Sequence, residues 1–488
     1  MRVPFTAVTA IVFMASLQAF AQPQADSSLQ EGMQALQKQI AEMKAMMEEM
    51  KTEIIRTRAE AQELRQVLEG SRGKATDQYT EPIQTLEEEQ QLLNAKVDEQ
   101  YQTKVESASK YRLRLSGTVL MNLFNNRGAV DNLDFPSLAL EYSSIYSRHS
   151  VGASLRQSLV GLEVSGPQIQ GAHVRGDLQF DFAGGFPNAP DGVTFGLPRL
   201  RTGTLRLDWP KTSVVAGQDA PFFSPLSPSS IASVAVPALS YSGNLWTWIP
   251  QVRVEQRLNV AEGSNVLLQG GVLDPLTGQT PVSQFVRTPQ AGEASRQPAY
   301  ATRIAWSRHA FDRELTLGAG AYSARHDWGF GRTVDAWAAT ADWLIPFGGR
   351  LELSGEFYRG RALGGLGGGI GRSALFSGPV TYSSTRVKGL NATGGWAQLK
   401  FRQTERLEWN AAYGEDSVPA RDLRLFRFVQ QSYYDASIAR NQSSLMNFIY
   451  RPRSDLLLSL EYRRLRTFMF QGDSQKASQF NLSMGVLF

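Results

Sequence analysis

From Tyr111 onward, large apolar side chains recur at every second position, with polar, charged or small residues between them. The clearest run is the last. Phe480, Leu482, Met484, Val486 and Phe488 alternate with Gln479, Asn481, Ser483 and Gly485. A period of two puts successive side chains on opposite faces of an extended chain, so this segment predicts a strand with one greasy face. The pattern repeats upstream. Leu407, Trp409, Ala411 and Tyr413 flank Glu408, Asn410 and Ala412; Ala397, Leu399 and Phe401 flank Gln398, Lys400 and Arg402. Trp246, Trp248, Val252 and Val254 alternate with Thr247, Gln251, Arg253 and Glu255. Val174, Leu178, Phe180 and Phe182 alternate with Arg175, Asp177, Gln179 and Asp181.

Alternation alone also fits a soluble sheet covered on one side. Three further features point to a closed barrel in a membrane. The face opposite the greasy one carries charges in mid-strand, which suits a water-filled interior and not a sandwich core. Trp209, Trp246, Trp306, Trp343, Tyr450 and Tyr462 stand near strand ends, where interfacial girdles belong. Short turns at Trp209–Thr212, Pro346–Gly349 and Pro452–Ser454 alternate with long loops near 124–149, 219–244, 274–297, 362–389 and 415–440. No run of about 18 apolar residues follows the N-terminal stretch, so no spanning helix is available.

The expected fold is an all-β transmembrane barrel of about sixteen antiparallel strands over residues 111–488. The strand centres are expected near Leu115, Leu159, Leu178, Leu205, Ala216, Val252, Leu268 and Ile304 in the first half. Those of the second half are expected near Leu317, Ala341, Leu353, Leu399, Ala411, Phe448, Leu460 and Leu482. A barrel of that size encloses an aqueous channel, and closure leaves no lipid-facing edge unpaired.

The N-terminal part has a different period. Residues 1–21 read as an export signal, with Arg2, the apolar stretch Phe5–Leu17 and the cleavage motif Ala19-Phe20-Ala21. Residues 22–72 predict an α-helical coiled-coil rod, whose heptad stretch 29–68 would reach about 60 Å. Its seam is Leu29, Met33, Leu36, Ile40, Met43, Met47, Met50, Ile54, Thr57, Ala61, Leu64 and Leu68, in alternating steps of four and three. Such a seam needs a partner helix to leave water; a lone amphipathic helix packed on its own domain is the alternative. Residues 73–110 form a linker with a short helix from Pro82 to about Gln100.

Charge separates the two parts. Residues 22–106 hold 17 acidic and 10 basic side chains, a net of −7, which leaves +10 for residues 107–488 once Arg2 is set aside. In an exported chain a basic domain speaks for small anions and against nucleic acid. With no Cys there is no disulfide framework and no thiolate zinc site. His149, His173, His309 and His326 are scattered near strand ends or loops, so neither a metal centre nor a cofactor is called for. No Gly-x-Ser-x-Gly, His-Glu-x-x-His or Gly-x-x-x-x-Gly-Lys motif occurs, which argues against an enzyme.

An export signal, a coiled coil and a barrel whose last strand reaches Phe488 resemble the DcaP-like trimeric porins, relatives of the phosphate-selective porin O and P family. Gly217-Gln218-Asp219-Ala220-Pro221-Phe222-Phe223-Ser224-Pro225 is similar to the stretch leading into their third external loop. Arg156-Gln157-Ser158-Leu159-Val160-Gly161-Leu162 resembles their second strand, with Leu159 where a basic residue is expected. The resemblance implies a homotrimeric outer-membrane channel for small, often anionic, solutes, surrounded by outer-membrane lipids. The rod would lie in the periplasm, within reach of peptidoglycan or periplasmic proteins.

Pro221 to Gly243 is nearly free of charge and rich in Ser and Pro. By resemblance to general porins it is assigned the constriction, with Pro221, Ser224, Ser227, Ser229, Ser230 and Ser233 narrowing the bore. An external loop over the mouth is the other reading. Strand parity predicts inward Arg114, Arg175, Arg206, Arg253, Arg303, Lys400, Arg402 and Arg463. Asp177, Asp181, Glu255, Asp342, Glu356 and Glu461 are expected inward too. The basic set is either a ladder for anions or one half of cross-strand ion pairs. The functional expectation is passive diffusion of small hydrophilic, anionic solutes. The alternative is an envelope tether whose barrel only anchors the rod.

Overall fold

The computed structural model describes residues 111–142, 148–186, 196–281, 286–311, 313–429 and 435–488. The export signal, the rod and its seam, and the linker lie outside them.

Strands follow one another with little between them on one side and much on the other. The first group is β1 (Arg112–Arg127), β2 (His149–Ser154), β3 (Leu159–Ile169), β4 (Ala172–Asp181) and β5 (Arg199–Asp208). Next come β6 (Thr212–Asp219), β7 (Ile249–Ala261), β8 (Ser264–Leu273), β9 (Ala299–Ala310) and β10 (Arg313–Asp327). They are followed by β11 (Thr333–Phe347), β12 (Leu351–Arg361), β13 (Ala374–Phe376), β14 (Val387–Gly389) and β15 (Asn391–Arg402). The last are β16 (Leu407–Ser417), β17 (Ile438–Tyr450), β18 (Leu456–Met469) and β19 (Ser474–Leu487).

All but β13 and β14 belong to one antiparallel sheet of 17 segments. β3 pairs with Arg112–Thr118 of β1 and β2 pairs with Asn122–Arg127, so the two are halves of one interrupted strand. Sixteen staves therefore surround the barrel. β1 closes the ring against β19, from Thr118 opposite Leu487 to Arg127 opposite Ser478. Gly117 and Phe488 extend this seam by exchanging backbone hydrogen bonds of 2.9 and 3.1 Å. Each of the sixteen expected centres falls within its own stave. The break at 155–158 is not expected, because Leu155-Arg156-Gln157-Ser158 carries no Gly, Pro, Asn or Asp; a Ser158 N–H to Leu155 carbonyl bond of 2.9 Å makes it.

Parity separates outside from inside. On β9, Tyr300, Thr302, Ile304 and Trp306 are exposed while Ala299, Ala301, Arg303 and Ala305 are buried. Leu205, Val252, Ile304 and Met446 are 52%, 48%, 52% and 65% exposed, so the greasy face turns away from the protein. Only lipid makes that favourable over so many strands. Trp306, Tyr450 and Tyr462 lie on this outer face. Trp246 does not. It precedes β7, packs edge-on to Tyr241 at 5.8 Å and to Trp248 at 5.4 Å, and belongs to a loop inside the barrel.

The interior is also drier than the charge pattern suggests. Inward Ala301, Ala324, Val334, Ala336, Ala338 and Ala392 form one apolar cluster with Phe222, Phe223, Leu363, Leu366 and Phe376 from two loops. The polar interior lies on the adjoining wall, where Gln398, Asn410, Asn447 and Glu461 project from β15, β16, β17 and β18.

Candidate permeation path

The segment between β6 and β7, residues 220–248, leaves the wall and folds into the lumen. Proline at 221, 225, 228 and 237 restricts its backbone, and tight turns return Ser224 N–H to the Pro221 carbonyl at 2.9 Å and Ser242 N–H to the Leu239 carbonyl at 2.9 Å. Leu239 and Tyr241 hold left-handed conformations, φ 60° and 59°. The loop then touches the inner wall almost all the way round. Phe223 accepts from Thr340 Oγ1 of β11. Ser224 Oγ and the Leu226 N–H donate to the two oxygens of Glu356 on β12, both at 2.7 Å. Ser229 N–H donates to Gln398 Oε1 at 2.6 Å, and its carbonyl accepts from Asn447 Nδ2 at 3.0 Å. Ser230 Oγ donates to Glu461 Oε2 of β18.

The circuit continues at the break between β2 and β3. Gln157, fully buried there, donates Nε2 to the Ala232 carbonyl at 3.0 Å. Its Oε1 accepts from the Val234 and Ala235 N–H groups at 2.8 and 3.1 Å. Arg199 and Arg201 of β5 donate to the Ala235 and Val234 carbonyls at 2.6 and 2.7 Å. Their guanidiniums also lie over the Trp248 ring, 5.2 and 4.7 Å from its centroid. Close approach needs bare backbone on the wall. A Cβ on Gly414 would stand 2.2 Å from the Ser242 carbonyl oxygen.

The expected constriction residues therefore have different fates. Ser224 and Ser230 spend their hydroxyls on wall carboxylates. Ser227 is exposed and accepts from Asn244 Nδ2 at 3.2 Å, Pro221 is buried, and Ser233 is buried with no partner for its hydroxyl among the described residues. Ser229 is half-buried and bonds through its backbone.

The basic residues divide similarly. Arg303 makes a two-pronged pair with Asp342, 2.9 and 2.7 Å. Arg253 bridges Asp219 and Glu255, both at 2.9 Å, and Arg206 bridges Asp208 and Glu255 at 2.7 and 2.8 Å. Arg463 pairs with Glu461 at 2.6 Å and Arg402 with Glu352 at 3.1 Å. Lys400 is half-buried without an ion pair among the described residues, opposite Glu352 in register. Arg114 and Arg175 are exposed near the short-turn end, opposite Glu163 and Arg206 in register. On the polar wall a chain of amides runs from Gln398 to Asn410 (3.0 Å), Asn447 (2.9 Å) and Glu461 (3.0 Å).

Sequence reasoning missed a second inward segment, 362–376, between β12 and β15. Expected outside as part of a long loop, it is buried at every residue. Arg372 anchors it, donating to the carbonyls of Asp435, Ala436 and Ile438 at 2.8, 2.9 and 2.6 Å. Burial pulls the Arg372 guanidinium down to about 10, against the opposing pull of the Asp416 and Asp435 carboxylates. Gly367, at φ 90°, takes a left-handed conformation and lets Trp246 lie against its backbone. The glycine run 364-GGLGGGIG-371 was the available signal, since external loops have no need of so many close approaches. Among the described residues no group of three or more His, Asp or Glu gathers to hold a metal ion.

No family model and no curated protein sequence matches the chain. Solved structures do. The chain is similar to the outer membrane channel DcaP of Acinetobacter baumannii, with 16% identity and a TM-score of 0.60, over 79% of this chain and all (100%) of that one. An anion-selective porin from Comamonas acidovorans aligns at 12% identity and a TM-score of 0.47, over 78% of this chain and 100% of the other. At these identities the likeness concerns architecture. The chain has the sixteen-stranded antiparallel barrel fold of the outer-membrane channel DcaP.

Proposed function

We propose that the protein is an outer-membrane porin, a homotrimer that passes small hydrophilic solutes by passive diffusion with a bias toward anions. The observation that carries this reading is the loop 220–248, which crosses a closed barrel and is fastened to its inner wall by wall side chains. Its fastenings define the constriction. Arg199 and Arg201 bring two guanidiniums to the loop, one of them only partly matched by Asp181, at 3.7 Å from Arg201. Lys400 adds a cation on the polar wall, and residues 107–488 carry +10 overall. Fixed positive charge between low-dielectric walls raises the local concentration of anions.

Planar-bilayer recordings under a salt gradient test the proposal. The purified protein should conduct in discrete steps with a reversal potential of the sign set by anions. Removing residues 27–106 should leave conductance in place. A cation-favouring potential would overturn the bias, and absence of steps would overturn the channel itself.

A further inference from the structure

On β18 the outward positions run Leu458, Leu460, Tyr462, Arg464, Arg466 and Phe468 toward the long-loop end. The first three belong to the apolar and aromatic face, with the Tyr462 ring 4.8 Å from that of Phe480 on β19. Arg464 and Arg466 stand about 7 and 14 Å beyond Tyr462 along the same row. Register sets Lys476 of β19 opposite Arg466, and Arg440 of β17 opposite Phe468. Both guanidiniums lie on the one ring, with Arg440 Cζ 4.0 Å and Arg466 Cζ 4.4 Å from the Phe468 centroid. Stacking on an aromatic face holds each fork in place without using its hydrogen-bond donors.

Counter-charge is scarce here. Glu415 of β16 reaches Arg440 only at 3.9 Å, and its Oε2 already accepts from Tyr413 Oη at 2.9 Å and Gln442 Nε2 at 2.7 Å. Arg466 uses Nε on Ser474 Oγ at 3.1 Å. Arg464 and Lys476 are exposed and make no ion pair among the described residues. The inner wall differs, since Arg253, Arg303 and Arg463 each sit on a carboxylate there.

We propose that this outward face binds the phosphorylated headgroup of a membrane lipid, with Arg440, Arg464, Arg466 and Lys476 around Phe468 as the site. Phosphate oxygens match the guanidinium forks, and the acyl chains lie down the row of Leu458 and Leu460. A lipid fits better than free phosphate because the cations are exposed. The apolar row directly beneath supplies the burial that an open cluster lacks.

Native mass spectrometry of the full-length protein in detergent tests the site with three probes: bis-phosphorylated lipid A, the same lipid without phosphates, and inorganic phosphate. Retention of the phosphorylated lipid alone is expected. The R440Q/R464Q/R466Q/K476Q variant should lose about tenfold or more in retention. Should that variant not fold, as judged by heat-modifiable gel mobility, R464Q alone should still weaken retention severalfold. Equal retention by variant and parent, equal binding of the dephosphorylated lipid, or equally tight binding of inorganic phosphate would each overturn the assignment. Loss of subunit association with lipid binding intact would do so too, marking the face as a contact between copies. No arm uses conductance, so failure here leaves the channel reading untouched.

Discussion

The Arg303 guanidinium of β9 meets the Asp342 carboxylate of β11 through two parallel hydrogen bonds, Nε to Oδ1 at 2.9 Å and Nη2 to Oδ2 at 2.7 Å. β10 lies between these strands, so the pair spans a whole stave on the inner wall. Only 7% of the Arg303 side chain and 2% of that of Asp342 is exposed. The pair neutralises itself, and breaking it from either side has opposite consequences.

Asp342→Asn keeps the shape and removes the anion, so Arg303 becomes an uncompensated cation. Reversal potentials should move toward anions. Arg303→Ala leaves a buried carboxylate opposite Glu356 in register. That variant should lose anion preference and about 3 kcal/mol of stability. A chemical-denaturation series beside the bilayer measurement separates the two effects, and unchanged selectivity in both variants counts against any role for the pair in permeation.

Gln157 is the fastening nearest the strand break, with three hydrogen bonds to the loop at 232–235. Gln157→Ala should free that side of the loop. Single-channel records should then show larger and noisier steps, with a loss of about 1–3 kcal/mol in stability. Steps identical to those of the parent would mean that the other fastenings suffice.

Gly414 faces the Ser242 carbonyl with no room for a methyl group. Gly414→Ala must push the loop off the polar wall, at a cost of about 1–3 kcal/mol. Conductance is expected to change while the outer barrel dimensions stay the same, which crystallography of the variant can check.

Asp422 sits in the loop between β16 and β17, outside the lipid-facing strands, under β14. Burial works against its ionisation, but Lys388 Nζ at 2.8 Å and Asn391 Nδ2 at 2.7 Å outweigh it and hold the carboxyl below the usual carboxylate range. A depressed carboxylate stabilises the fold above its unfolded pKa and ceases to do so as pH falls through its folded value. Amide exchange across 374–391 should therefore quicken on acidification below about pH 4. Asp422→Asn should exchange quickly at neutral pH and lose that acid dependence.

The strands were legible because lipid makes the same demand on every one of them. Val252, Ile304 and Leu482 each had to be apolar whatever lay inside, so period two survived along the whole chain. The inside obeys no such rule. Whether Ala336 and Ala338 face water or a loop depends on where residues 220–248 and 362–376 go, and that is decided by partners more than 100 residues away, such as Phe223 and Thr340. The same applies to Trp246, whose alternation with Val252 matched a strand but whose neighbours are Gly367 and Tyr241. Charge parity was readable one strand at a time. The pairing of Arg303 with Asp342 was not, because it skips a strand.

The loop fastened at Thr340, Glu356, Gln398, Glu461, Gln157 and Arg201 acts as a set of spokes. A hollow cylinder this wide flattens into an ellipse when squeezed from one side. Spokes tied to opposite points on the rim resist that, so the cross-section should hold its roundness under lateral pressure. Permeability would then be indifferent to how thick or how tightly stretched the surrounding bilayer is.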